Sequence, residues 1–216
     1  MDAALLETVA AALEYPGPGK AERPGTAEAL GCTPPDLASA LRALGAYLAA
    51  APAGEAEERY TALFDLNPVC TLHAGYHLFG EDFKRGELLA GLAAELRKAD
   101  LLIGTELPDY FPALLRLTAR SEPAGRETLV DYLLLPALVK MTDALKASES
   151  PWAAVVRALP SALAPLGTGE DVAAQLFAPA PDCLRRYTQA ADLPEKGDRH
   201  MPNFNPPSAV PGSRAE

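Results

Sequence analysis

Apolar residues recur at spacings of three and four along most of the chain, the signature of amphipathic helices. Leu5, Leu6, Val9 and Leu13 form a stripe that predicts a helix over 2–14. Tyr15-Pro16-Gly17-Pro18-Gly19 cannot continue it. Thr33-Pro34-Pro35-Asp36 reads as the next helix start, with Thr33 as N-cap and Pro34 at the first helical position, ahead of the stripe Leu37, Leu41, Leu44 and Leu48. A third helix is predicted over 55–66, with Tyr60, Leu63 and Phe64 inward and Asn67-Pro68 as its stop. A short helix over 70–79 follows, ended by Gly80. Asp82 is placed to cap another over 83–98, with Leu88, Leu89, Leu92 and Leu96 inward. Asp109 is then expected to cap a helix that tolerates Pro112 in its first turn. The stretch 127–146 is apolar on nearly every side, which predicts a central helix, kinked at Pro136. Ser150-Pro151-Trp152 opens a last clear helix with Val155, Val156 and Leu159 inward, and 171–177 is a weaker helical stretch.

Nothing alternates as a strand for a useful length, Val and Ile are scarce, and no repeat of fixed period is present. The expected fold is therefore all-α: a compact multi-helix bundle with Pro/Gly-rich loops. Residues 1–193 would form the helical domain. Residues 194–216, proline-rich and without periodicity, would form a flexible C-terminal tail. A hydrophobic fraction of 49% over 216 residues is enough for one sizeable core.

Charge and cysteine usage narrow the function. A net charge of -10 argues against a nucleic-acid partner and suits a neutral or basic one, such as an arginine-bearing peptide. Cys32, Cys70 and Cys183 are far apart and odd in number, which fits a reducing compartment better than a disulfide framework. The first residues lack the basic region of a secretory signal, and no uncharged apolar run approaches the ~18 residues a membrane helix needs, so no stable membrane insertion is expected.

Candidate chemistry gathers in 60–112. Cys70, His73, His77 and Glu81 follow one another at three, four and four residues, so a single helix would present all of them on one face. Thiolate, imidazole and carboxylate are zinc and iron ligands, which makes a metal-dependent helical enzyme centred on Cys70, His73 and His77 one alternative. The opposing reading is a small core cysteine with hydrogen-bonded or solvated histidines. No GxSxG elbow, GxxxxGK[ST] loop or GxGxxG turn is present. Two polar clusters, Gly80-Glu81-Asp82-Phe83-Lys84-Arg85-Gly86 and Glu106-Leu107-Pro108-Asp109-Tyr110, mark helix junctions. They read either as caps and local ion pairs or as a recognition surface.

Those same residues carry a family resemblance. Tyr60 to Asp65, His77 to Gly86 and Glu106 to Pro112, with Leu6 to Pro16 ahead of them, resemble in order and spacing the motifs of the nitrate reductase delta subunit family. These are chaperones that assist assembly of molybdenum-cofactor respiratory oxidoreductases. The resemblance covers approximately 1–160. It departs from the family pattern at Leu72-His73-Ala74-Gly75-Tyr76 and at Gly80-Glu81-Asp82. It implies an all-helical, cytoplasmic, non-enzymatic protein with no cofactor of its own. Such a protein would bind the apo catalytic subunit of a molybdenum oxidoreductase, through that subunit's N-terminal segment, until the cofactor is inserted. Carried onto this chain, the client-binding residues would be Tyr60 and Phe64 in an apolar groove. Asp65, Glu81, Asp82, Glu106 and Asp109 would be its acidic groups, with His77, Lys84, Arg85 and Tyr110 beside them. A structural subunit of the mature enzyme is the remaining alternative, and monomer and dimer are both open.

Overall fold

A computed structural model describes residues 2–17, 33–66 and 68–168. Among them every regular element is helical: α1 Ala3–Leu13, α2 Pro35–Ala50, α3 Glu55–Phe64, α4 Ala74–Phe79, α5 Phe83–Lys98, α6 Phe111–Arg120, α7 Pro123–Leu129, α8 Leu135–Ala144 and α9 Pro151–Leu163. The all-α expectation holds. The predicted stretch 171–177 and the predicted tail 194–216 lie outside the described residues. No helix of the described residues is long and apolar enough to cross a membrane.

Most ends follow their sequence signals. Asp2 caps α1 by accepting from the Leu5 N–H at 2.8 Å. Asp82 caps α5 through the Lys84 N–H at 2.9 Å. Gly80 leaves α4 at φ 61°, a conformation that costs a side-chain-bearing residue about 1 kcal/mol or more. Other starts shift. The cap of α2 is Pro34 rather than Thr33, with Pro35 and Asp36 in the first turn.

The central helix differs more. Where a single kinked helix over 127–146 is predicted, α7 passes into a π-helical turn, Val130–Leu134, and then into α8. The Leu135 N–H reaches back to Val130 O, five residues away. Pro136, next in line, has no N–H to offer. The wide turn therefore falls where the α-helical ladder is already interrupted.

The core runs through the whole bundle. Helix α1 packs along α6, α2 along α9, and α8 lies between α9 and α4. Trp152 at the start of α9 is fully buried, with Tyr47 and Tyr60 edge-on to its ring at 5.7 Å and 5.6 Å. Arg116 of α6 staples α1 by donating from Nε to Glu7 Oε2 at 3.0 Å and from Nη1 to Glu14 Oε1 at 2.7 Å.

Candidate functional site

The centre of the site is a backbone clasp between two distant segments. The Ala74 N–H donates to Asp109 O at 2.9 Å, and the Phe111 N–H donates to Leu72 O at 2.8 Å. His73 and Tyr110 thereby form an isolated antiparallel bridge. These bonds fix Leu72 to Ala74 with His73 extended, and Cys70 to Leu72 are not helical, so the helix predicted over 70–79 begins only at Ala74, with His73 as its cap residue. Cys70 and Glu81 both lie off α4, and the single-helix face of Cys70, His73, His77 and Glu81 does not form.

Their actual partners are internal. His77 Nε2 lies 2.8 Å from Thr71 O, which can only accept, so this nitrogen carries the proton. The buried Cys70 Sγ sits 3.8 Å from the same nitrogen. Burial pushes the Cys70 thiol up to about 12 and holds the His77 imidazole below its ordinary value. His73 turns the other way, with Nδ1 3.0 Å from Thr71 Oγ1 and Nε2 3.6 Å from Glu106 Oε2. Among the described residues no group of His, Cys, Asp and Glu is arranged to hold a metal ion.

The two polar clusters meet in one ion pair. Arg85 Nε donates to Asp109 Oδ2 at 2.9 Å, where the Asp109 side chain is 0% exposed. Asp109 is thus no helix cap: α6 starts at Phe111 behind Tyr110 without a side-chain cap. The guanidinium of Arg85 also lies over the Tyr76 ring, 5.6 Å from its centroid. Gly75 makes the approach feasible, because a Cβ there would stand 2.8 Å from Asp109 Oδ2 and 3.0 Å from Leu88 Cδ2.

Tyr60 and Phe64 occupy the core rather than the wall of an open groove, each 3% exposed. Their rings meet edge-on at 4.9 Å, and Tyr15 caps Tyr60 at 5.5 Å. The Tyr60 hydroxyl donates to Leu13 O at 2.8 Å and lies 3.3 Å from the Tyr110 hydroxyl. Burial raises the pKa of both phenols, that of Tyr110 to about 12. Asp65, Glu81, Asp82, Lys84 and Glu106 are exposed. Partial burial raises the Asp65 carboxyl, against the opposing pull of His73.

Sequence reasoning missed several open apolar groups near these residues. Tyr76, Phe79 and Phe83 stand exposed on the α4–α5 hairpin, Phe83 by 71%. A cleft of about 290 Å³ opens between the end of α1, the 101–106 loop and the start of α6, lined by Glu14, Tyr15, Leu101, Leu102, Ile103, Glu106, Tyr110, Ala113 and Arg116. The signal for it was present: Leu101-Leu102-Ile103 is an apolar run placed in a loop, where such residues have no helix face to fill.

Comparison with known proteins agrees with this geography. The model of the family described as "Nitrate reductase delta subunit" matches residues 31–157, more than half of the chain and the part that holds the clasp and both clusters. A curated relative from Escherichia coli (strain K12), "Probable nitrate reductase molybdenum cofactor assembly chaperone NarW", is 31% identical over 111 residues. The aligned part is 50% of this chain and 47% of that relative, so the match spans about half the length of each.

Proposed function

Because the chain belongs to the nitrate reductase delta subunit family, we propose that it is a non-enzymatic assembly chaperone for a molybdenum-containing respiratory oxidoreductase, nitrate reductase or a relative. In this reading it acts in the cytoplasm on the apo catalytic subunit. It engages that subunit through its N-terminal segment and releases it after the molybdenum cofactor has been inserted. The cofactor is cargo for the client; this chain carries out no chemistry on it.

The observation that carries the reading is the family match across 31–157. The surface is compatible with it. Exposed Tyr76, Phe79, Phe83, Leu102 and Leu107 offer apolar contact, while Asp65, Glu81, Asp82 and Glu106 lend negative charge for a basic segment. Buried Tyr60, Phe64 and Asp109 and the partly exposed Arg85 support that surface, with His77 holding Thr71 and Tyr110 lining the cleft.

The test is co-expression with the catalytic subunit of the oxidoreductase encoded by the same organism. The chaperone reading requires the chain to co-purify with the apo subunit and its deletion to lower the molybdenum content of the mature enzyme. Full molybdenum content without the chain would refute it. Recovery of the chain as a stoichiometric part of the active enzyme would support the structural-subunit alternative instead.

A further inference from the structure

Among the exposed aromatic rings of the α4–α5 hairpin, Tyr76 is set apart by its contacts. The guanidinium of Arg85 lies over its face, 5.6 Å from the centroid, and the His77 ring meets it edge-on at 6.3 Å. The residue is nevertheless 45% exposed. Arg85 is no loose surface cation. Its Nε is committed to Asp109 Oδ2 at 2.9 Å, and that carboxylate is fully buried. Asp109 is held in turn by its backbone, because its carbonyl accepts from the Ala74 N–H in the clasp. Gly75 leaves the room this approach needs, since a Cβ there would stand 2.8 Å from Oδ2. A line of fixed groups thus runs from the clasp through Asp109 and Arg85 to the Tyr76 ring, and it ends on an aromatic surface open to solvent.

We propose that Arg85 is a positioning residue that holds Tyr76 as a fixed shelf for an apolar or aromatic side chain of the client segment. The proposal deepens the chaperone reading and rests on it for the identity of the client. A guanidinium suits the task because its Nε edge bonds Asp109 while its plane covers the ring. A lysine ammonium is a single compact centre with no plane to stack. A ring that is fixed before contact loses less rotamer freedom when the client arrives. The occupant is apolar rather than cationic. Arg85 already sets a positive charge against the ring, and a second cation would face that charge across it.

The test is a double-mutant cycle on capture of the apo catalytic subunit by the full chain, read as dissociation constants. Arg85→Lys keeps a cation for Asp109; should it fail to fold, the apolar pair Arg85→Met with Asp109→Leu takes its place. Tyr76→Ala should weaken capture about tenfold, and Arg85→Lys about threefold. With Tyr76→Ala already present, Arg85→Lys should weaken capture no further. With Leu102→Ala present instead, on the separate 101–108 loop, it should cause the same threefold loss as alone. A purely structural Arg85 would weaken capture equally in every background. Without any client, the Tyr76 ring-proton resonances should move in Arg85→Lys while the Trp152 indole resonance stays in place. Unmoved Tyr76 resonances, undiminished capture by Tyr76→Ala, or an equal loss from Arg85→Lys with and without Tyr76 would overturn the proposal, while the chaperone reading stands. A wild-type chain that never captures the subunit would sink the chaperone reading instead, and the Tyr76 resonances alone would then decide whether Arg85 holds the ring.

Discussion

Arg85 and Asp109, 24 positions apart, meet at 2.9 Å in a pocket from which the aspartate is fully withdrawn from water. Among the described residues Asp109 Oδ1 has no hydrogen-bond partner and Arg85 is the one side chain paired with this carboxylate. Arg85→Ala should therefore cost about 3 kcal/mol, because it strands a buried charge. Replacing both residues together with apolar ones should cost clearly less than the sum of the single changes. Urea denaturation of the two single variants and the double variant reads the coupling directly.

Gly75→Ala should cost about 2 kcal/mol, since the new methyl would press on Asp109 Oδ2 and on Leu88. The same change at Gly86, where a Cβ meets nothing within 4 Å, should be neutral or slightly stabilising, as expected for a helix interior. Thermal melting of the pair separates crowding from a general effect of glycine loss.

Tyr60→Ala should be a folding mutation before it is a binding mutation. The ring touches Tyr15, Phe64 and Trp152, and its hydroxyl holds the end of α1, so a loss of about 4 kcal/mol is expected. Phe83→Ser and Leu102→Ser should do the reverse. Both side chains stand largely in solvent, so stability should change by less than about 0.5 kcal/mol while capture of the catalytic subunit weakens. Melting curves beside pull-down assays distinguish the two classes.

His77 gives the fold a pH dependence with a definite sign. Burial holds its folded-state pKa below the ordinary 6.5, so the unfolded chain takes up a proton first as pH falls. The contribution of the neutral imidazole is complete above 6.5 and is lost as pH drops from there through the folded-state value. His77→Gln keeps a donor for Thr71 O but does not titrate. The difference in denaturation midpoint between wild type and this variant should move against the wild type below about pH 6.5.

What the sequence made legible was local. The stripe of Leu92 and Leu96, the Asp82 cap and the Gly80 stop place α5 at Phe83–Lys98, within one residue of the predicted ends. The failures around the site share one cause, long-range pairing. Cys70 sits within a plausible helical pattern, yet backbone bonds from residues near 110 engage Leu72 and Ala74 and hold His73 extended. Asp109 has the composition and position of a cap, yet Arg85 from another helix claims it. Tyr60 lies on a stripe that predicts burial. The groove role assigned to it came from motif position, which carries no information about the Trp152 ring that covers it. Sequence pattern reports which face of a helix is apolar, while the identity of the covering element is decided elsewhere in the chain.

The clasp at Leu72–Ala74 and Asp109–Phe111 also divides the molecule in time. Everything from α4 through α5 and the 101–108 loop hangs between its two hydrogen bonds. Opening those bonds together with the packing of α4 on α8 would release that excursion, while α1 stays packed along α6 and α2 along α9. The amide hydrogens of Ala74 and Phe111 should therefore exchange with solvent at a common rate, faster than those in the middle of α9. The exposed α4–α5 hairpin should then open within that same cooperative unit.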